Sequence, residues 1–129
     1  MKTRILVVDD HRMFRDGLKA LLSLQKDMEI VGEAENGQEA IAKTRTLHPD
    51  VILMDINMPV MDGIEATRRI LDEMPGMKIL ALSMCPEQEC SAGIMRAGAR
   101  GYIMKGGDFE QLTTAIRETA QSASSQSMQ

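Results

Sequence analysis

Short apolar runs alternate with longer amphipathic stretches along this chain of 129 residues. Five of the short runs predict β-strands, at residues 5–8, 29–34, 51–54, 79–82 and 101–104. Most of them lack the alternation of a half-exposed strand, which indicates strands covered on both faces, as in a parallel sheet. The run at 29–34 is more polar, and we expect it at an edge of the sheet.

Helical spacing of apolar residues fills the segments between these strands. The apolar positions are Phe14, Leu18, Leu21 and Leu22, then Ala40, Ile41, Thr44 and Leu47, then Ile64, Thr67, Ile70, Leu71 and Met74, and finally Phe109, Leu112 and Ile116. A weaker helix is predicted over residues 87–97, where Gly93 costs about 1 kcal/mol relative to alanine. Asp108 is placed to cap the last helix. With right-handed crossovers, this βαβαβαβαβα order predicts a doubly wound α/β fold.

Length and composition predict one domain over residues 1–121. Residues 122–129 are rich in Ser and Gln and have no core-forming pattern, so we expect a linker stub or a disordered tail. Twelve methionines and only 2% aromatic residues indicate an aliphatic core that is partly filled by methionine.

Charge and cysteine content exclude several classes of protein. The net charge of −4 without basic runs argues against nucleic-acid binding by this segment itself. No apolar run is long enough to span a membrane, and the N-terminus does not resemble a signal peptide. Cys85 and Cys90 match neither a disulfide framework nor a zinc signature, and we interpret them as packing or surface thiols. A reducing cytoplasm is therefore expected.

Polar residues follow the predicted strands where each strand ends. Asp9 and Asp10 end the first strand, Asp55 the third, Ser83 the fourth and Lys105 the fifth. Sites in open parallel sheets form beyond these carboxyl ends. Three carboxylates in one place repel each other and favour a hard cation such as Mg²⁺. Beside a hydroxyl and an ammonium group, they suit phosphoryl transfer onto a carboxylate, with an acyl phosphate as product.

Each of these residues has a plainer interpretation when taken alone. Asp10 is then a helix cap, Ser83 a turn residue and Lys105 a solvated side chain. The coincidence of all five polar residues at successive strand ends favours a functional site. We expect His11 and His48 to be exposed or to cap helices rather than to act in catalysis.

Four motifs in order resemble the receiver domain of two-component response regulators. They are VVDDH at 7–11, DINMPVMDG at 55–63, ALS at 81–83 and GYIMK at 101–105. The resemblance covers residues 3 to about 120. It implies a flavodoxin-like fold, (βα)5, with five parallel strands in the order 2-1-3-4-5. The segments VVDDHRMFRDGLKALL, ENGQEAI and RAGARGYIMK resemble the NarL/FixJ (LuxR-type) subfamily, whose members carry a C-terminal helix-turn-helix DNA-binding domain.

The resemblance assigns the acidic residues to two roles. Asp55 matches the aspartate that accepts the phosphoryl group. Asp10 matches a direct ligand of Mg²⁺, and Asp9 a partner that acts through water. Asp55 and the backbone carbonyl of Asn57 would complete the metal ligands.

The resemblance also implies how the domain switches. Lys105 matches the lysine that contacts the phosphoryl group, and Ser83 the hydroxyl that turns toward it. Tyr102 matches the aromatic switch residue that rotates inward. Pro59 and Gly63 fit the turn after the phosphorylation site, with Gly63 opening the third helix.

One position departs from many receiver domains, in which a proline follows the lysine after a cis peptide bond. Here Gly106 follows Lys105. A cis bond before a non-proline residue costs about 2.5–4 kcal/mol. We therefore expect a trans peptide and a more mobile loop.

The implied function is that of a regulatory phosphoacceptor rather than a metabolic enzyme, with only self-catalysed phosphorylation and slow autodephosphorylation. A sensor histidine kinase would donate the phosphoryl group. The output would be a homodimer, or control of transcription through a DNA-binding domain that this chain does not include. A natural single-domain receiver that acts through protein contacts is an alternative.

Two further classes of protein share part of this chemistry. A phosphohydrolase of the haloacid-dehalogenase type would need an acid where Asn57 stands. A degenerate receiver that is never phosphorylated would have lost part of the acidic group or Lys105, and both are present.

Overall fold

The computed structural model of the chain describes residues 2–84 and 88–122, without the side chains of residues 88–91. Several predictions concern parts of the chain that the model does not describe: the thiols of Cys85 and Cys90, the start of the predicted helix at residue 87, and residues 123–129 of the predicted tail. The elements are β1 (Thr3–Val8), α1 (Arg12–Leu22), β2 (Met28–Ala34), α2 (Gly37–Leu47), β3 (Val51–Asp55), α3 (Gly63–Glu73), β4 (Ile79–Ser83), α4 (Gln88–Ala97), β5 (Gly101–Met104) and α5 (Phe109–Gln121).

The strands form one parallel sheet in the order β2-β1-β3-β4-β5. This confirms the predicted fold class, the predicted strand order and the predicted edge position of the more polar strand β2. β2 lies on one side of β1, and the strands that follow it in the chain lie on the other side, beginning with β3. The strand order therefore reverses at β1, and the carboxyl ends of β1 and β3 lie side by side. That is the place where doubly wound sheets build their sites.

Two hydrophobic layers cover the sheet, one on each face. Leu6 and Val8 of β1 point into a layer completed by α2, α3 and α4, while Ile5 and Val7 point into a layer completed by α1 and α5. Successive side chains of a strand face opposite sides. A strand covered on both faces must therefore be apolar at every position, which explains the uninterrupted runs in the sequence.

Among the helices whose first residues the structure describes, three begin at side-chain caps. Asn36 accepts from the backbone N–H of Glu39 at the start of α2, and Asp62 accepts from that of Glu65 at the start of α3. Asp108 accepts from the backbone N–H of Glu110 and caps α5, as predicted. No helix among the described residues is both long and apolar enough to cross a membrane.

The buried face of α1 differs from the prediction at two positions. The apolar pattern places Leu21 on the buried face, but this residue is 44% exposed. Arg15 is buried instead, together with Leu18 and Leu22. The spacing of these three residues, i, i+3 and i+7, defines one helix face, and Leu21 lies outside it. The guanidinium can be buried because it has polar partners inside, which are described below.

Candidate functional site

Three of the predicted carboxylates meet at the carboxyl edge of the sheet. Asp9 and Asp10 follow β1, and Asp55 is the last residue of β3. One ligand atom from each of these residues and one from His11 lie within 4.8 Å of one another. Asp9 and Asp55 are 0% and 4% exposed. The site is therefore a buried acidic group with Asp10 and His11 on its solvent side.

Lys105 supplies a positive charge to this group from the end of β5. Its Nζ lies 2.7 Å from Asp9 Oδ2 and 3.6 Å from Asp55 Oδ2. The ammonium also lies 4.6 Å from the centre of the Phe14 ring. Only 6% of the Lys105 side chain is exposed. Lys105 is therefore not the solvated surface lysine that its sequence context alone would suggest. Lys105 thus pairs more closely with Asp9 than with Asp55.

Three carboxylate oxygens in this site are buried and accept no hydrogen bond from the described residues. They are Asp9 Oδ2, Asp10 Oδ1 and Asp55 Oδ2, of which the first is paired ionically with Lys105. Buried polar atoms normally have partners, and one left without a partner costs about 1–3 kcal/mol. Hard oxygen atoms of this kind are the ligands that Mg²⁺ prefers. The residues therefore fit a magnesium ion, and Asp9, Asp10 and Asp55 could hold it.

The acidic group contains more negative than positive charge, and this affects the pKa of Asp55. Burial and the nearby charge of Asp9 raise the pKa of Asp55 to about 6, although Lys105 acts in the opposite direction. Asp10 adds a smaller repulsion, and a backbone hydrogen bond from Asn57 favours the ionised form. A second positive charge in the site would relieve this repulsion.

His11 lies closer to the site than its sequence context predicts. Its backbone N–H donates to Asp9 Oδ1 over 2.8 Å. Its ring Nδ1 lies 3.2 Å from Asp9 Oδ1 and 3.2 Å from Asp10 Oδ1. The imidazole is exposed, as predicted, but it makes no side-chain cap to α1. The sequence feature that could have predicted this contact is the position of His11 directly after Asp9 and Asp10.

The segment between β3 and α3 holds Asp55 in place. Gly63 begins α3, and its N–H donates to the carbonyl of Ile56 over 2.8 Å. A Cβ atom at this position would lie 2.1 Å from the carbonyl oxygen of Asp55, so that only glycine fits. Within the same loop, Met61 N–H donates to the carbonyl of Pro59 and closes a γ-turn.

This turn carries backbone strain. Its central residue, Val60, has a φ of +69° and is 76% exposed. A β-branched residue rarely adopts positive φ, and such a conformation costs about 1–3 kcal/mol. Strain of this kind is concentrated at functional sites, and here it lies five residues after Asp55.

The two predicted switch residues lie on neighbouring strands near the site. Ser83 ends β4, is buried, and follows Leu82, the register partner of Asp55. Its carbonyl accepts a 2.7 Å hydrogen bond from the N–H of Lys105. Tyr102 lies on the edge strand β5 and is 38% exposed. Tyr102 is therefore at the surface of the sheet edge rather than inside it.

The loop after Lys105 is built as the sequence predicts. The Lys105–Gly106 peptide bond is trans, and Gly106 has a φ of +77°. This conformation favours glycine. The greater mobility that we expect for the loop stays a prediction.

Arg15 supports the site from α1, although the sequence pattern did not single it out. Its Nη1 donates to the carbonyl oxygen of Asp9 over 2.6 Å, and its Nε donates to Glu33 Oε1 over 2.9 Å. Lys19 contacts the other oxygen of Glu33 at 2.6 Å, and these two cations lower the pKa of Glu33. The burial of Arg15 could have been predicted from its spacing, which places it on the same helix face as Leu18 and Leu22.

Comparison with known proteins places this geometry in a family. The model of the response regulator receiver domain matches residues 5–117. The chain belongs to the response regulator receiver domain family. Receiver domains bind Mg²⁺ in an acidic pocket, and this chain has a group of acidic residues at the carboxyl edge of its sheet.

Individual relatives of this receiver domain support the LuxR-type subfamily. A two-component response regulator of the LuxR family from Aurantimonas sp. SI85-9A1 matches with a TM-score of 0.89 and 33% identity, over 93% of this chain and 86% of that one. The response regulator protein VraR of Staphylococcus aureus is 42% identical over 124 residues. The transcriptional regulatory protein DegU of Brevibacillus brevis is 38% identical over 120 residues.

These curated relatives are longer than the matched region. The alignments cover 96% of this chain with VraR and 93% with DegU, but only 59% and 51% of those proteins. The receiver domain thus spans about half of their length.

Proposed function

We propose that this receiver domain accepts a phosphoryl group on Asp55 from the phosphohistidine of a sensor histidine kinase, in a reaction that requires Mg²⁺. The observation that carries the proposal is the state of Asp55. Its carboxylate is buried, its Oδ2 accepts no hydrogen bond from the described residues, and the ammonium of Lys105 lies 3.6 Å away. Asp55 Oδ2 is thus a nucleophilic oxygen without a hydrogen-bond donor among the described residues, next to a cation that can bind a phosphoryl oxygen.

The chemistry requires little of the protein beyond placement and charge. An oxygen of ionised Asp55 attacks phosphorus, a P–O bond forms, and the P–N bond to the kinase histidine breaks. The imidazole leaves neutral once it has gained a proton. Lys105 donates to an oxygen of the transferred group as its contact with Asp9 weakens. Mg²⁺, held by Asp10, Asp55, the Asn57 carbonyl and Asp9 through water, would neutralise charge on the transferred oxygens.

The same residues support a switch. Ser83 ends the strand next to Asp55, so that its hydroxyl can turn toward a phosphoryl oxygen on Asp55. Tyr102 lies two strands away from Asp55 at the sheet edge, where its half-exposed ring can move inward. Phosphorylation would thereby shift an existing equilibrium between two states of the surface formed by α4, β5 and α5.

The curated relatives support an inference about the output. DegU is a transcriptional regulatory protein, and about half of its length lies outside the alignment. We infer that phosphorylation controls a DNA-binding domain, through homodimerisation or through release of that domain, in the cytoplasm. A single-domain receiver that acts through protein contacts has the same chemistry and differs only in its partner.

The test is the intact mass of the protein after incubation with acetyl phosphate, with and without Mg²⁺. Wild type should gain about 80 Da only when Mg²⁺ is present, and Asp55→Asn should gain nothing. Asp72→Asn is the matched control, because Asp72 is exposed on α3 and outside the acidic group. It should be labelled like wild type. Labelling of Asp55→Asn, or labelling that is independent of Mg²⁺, would contradict the proposal.

A further inference from the structure

The placement of His11 gives the acidic group a donor of a different chemical kind. Its ring Nδ1 is equidistant, at 3.2 Å, from an oxygen of Asp9 and an oxygen of Asp10. Because the backbone N–H of His11 is bonded to Asp9 Oδ1, the residue is held at the site whatever its ring does. The imidazole itself is 66% exposed and can rotate to present its nitrogen.

The donor atoms of the group are not equally available. Asp9 is engaged on both oxygens, with Oδ2 against Lys105 and Oδ1 accepting from the backbone of His11. Asp10 Oδ1 and Asp55 Oδ2 are buried and accept no hydrogen bond from the described residues. Asp55 is 4% exposed, and one of its oxygens lies within 4.8 Å of a ligand atom of each other member of the group. A cation at this place would therefore meet two carboxylate oxygens and one imidazole nitrogen, and His11 Nδ1 would exchange its 3.2 Å contacts with Asp9 Oδ1 and Asp10 Oδ1 for the cation.

This donor set suits more than Mg²⁺. Magnesium prefers oxygen ligands and keeps several waters, so that a nearby imidazole adds little to its affinity. First-row transition cations gain from a nitrogen ligand, increasingly from Mn²⁺ through Co²⁺ to Ni²⁺. We propose that His11 is a metal ligand through Nδ1, which makes this cluster a mixed oxygen–nitrogen site for a divalent first-row transition cation. The inference rests on the cation site of the proposed function and adds a residue and a second class of cation to it.

The test compares Co²⁺ with Mg²⁺ by isothermal titration calorimetry on untagged protein at pH 7.5. His11→Ala should weaken Co²⁺ binding by about 10-fold or more, as loss of a ligating group does, and leave the Kd for Mg²⁺ within about twofold. His11→Gln removes the imidazole but keeps a longer polar side chain, and it should behave in the same way. His48→Ala is the matched control, because His48 is the other histidine and is not part of the acidic group. It should leave both affinities unchanged.

Proton NMR of the Co²⁺-loaded protein gives a readout that is independent of affinity. A ligating imidazole should show strongly shifted resonances of its ring protons, including the non-exchanging C–H protons, which persist in His48→Ala and disappear in His11→Ala. Equal Co²⁺ affinity of wild type and His11→Ala, or absence of the shifted ring C–H resonances from wild type, would overturn the inference.

Asp10→Asn separates this inference from the proposed function. If Asp10→Asn weakens both cations while His11→Ala changes neither, the cation site stands and His11 is not a ligand. If Asp10→Asn changes neither cation, the proposed cation site itself is wrong, and the role of His11 as its ligand falls with it.

Discussion

Nη1 of Arg15 lies 2.6 Å from the carbonyl oxygen of Asp9 and donates a hydrogen bond to it. The arginine is 7% exposed, and its Nε is bonded to Glu33 on the edge strand β2. One buried side chain of α1 therefore fixes the end of β1 and joins it to its neighbouring strand. Because Asp9 leads directly into Asp10 and His11, Arg15 is a positioning residue for the acidic group.

Arg15→Gln should therefore affect both stability and cation binding. Loss of charged hydrogen bonds should lower the free energy of unfolding by about 1–3 kcal/mol. Since the end of β1 would then be less constrained, Mg²⁺ should bind about 10-fold more weakly, as is typical when a group that orients metal ligands is removed. Urea denaturation and calorimetric Mg²⁺ titration measure the two effects.

Arg12→Gln on the same helix is the control for this prediction. Arg12 is exposed and its contact with Asp16 is 3.8 Å long, so that its loss should change stability by less than about 0.5 kcal/mol. Equal effects of the two substitutions would show that Arg15 has no special role in holding the site.

Asp55 should destabilise the domain above its own pKa when divalent cations are removed. Its pKa is about 6 in the folded state and 3.8 in the reference state, so that the folded state binds the proton more tightly. The stabilisation from protonated Asp55 is complete below about pH 3.8 and is lost as the pH rises through 6. In EDTA at pH 7.5, Asp55→Asn should raise the free energy of unfolding by up to about 3 kcal/mol.

Urea denaturation in EDTA across pH 4–8 tests this linkage. The advantage of Asp55→Asn over wild type should shrink as the pH falls, because wild-type Asp55 then becomes neutral as well. Asp72→Asn, on the exposed surface of α3, should follow the wild-type pH profile. A stability gain for Asp55→Asn that does not depend on pH would show that charge repulsion is not its cause.

The sequence predicts the fold well because the local and global signals agree. The buried strands β1, β3 and β4 are apolar on both faces, and a parallel sheet with helices on each side is the arrangement that covers them. The prediction of the buried face is wrong for α1, because it placed Leu21 inside only on the ground that leucine is apolar. Burial of Arg15 depends on the carbonyl of Asp9, six residues earlier and directly after β1, and on Glu33, 18 residues later on β2, and these two partners come together only in the folded sheet.

The same distinction applies to the site. The position of a residue at a strand end follows from the order of the elements, and Asp9, Asp55 and Lys105 can be found in this way. The order of the elements does not predict which of these residues pair. Lys105 lies 2.7 Å from Asp9 and 3.6 Å from Asp55, and this difference depends on side-chain geometry. The backbone N–H of His11 bonds to Asp9 Oδ1 in a local Asx turn, but the 3.2 Å contacts of the His11 ring with Asp9 and Asp10 depend on the rotamer of the ring, which spacing does not give.

Two glycine-to-alanine substitutions should have opposite effects on stability. In Gly63→Ala the new Cβ would lie 2.1 Å from the carbonyl oxygen of Asp55, and the atom it meets belongs to the backbone of a buried strand. Either the end of β3 or the start of α3 must move. The free energy of unfolding should fall by about 1–3 kcal/mol or more, and phosphorylation should slow because Asp55 is displaced.

Gly17→Ala supplies the matched comparison. Gly17 is inside α1, and a Cβ there would meet nothing within 4 Å. Since glycine in a helix interior costs about 0.5–1 kcal/mol relative to alanine, this variant should be more stable than wild type by that amount. Urea denaturation of wild type and both variants measures these changes in the free energy of unfolding. If Gly63→Ala were as stable as Gly17→Ala, the close approach of the start of α3 to the carbonyl of Asp55 could not be what holds Asp55 in place.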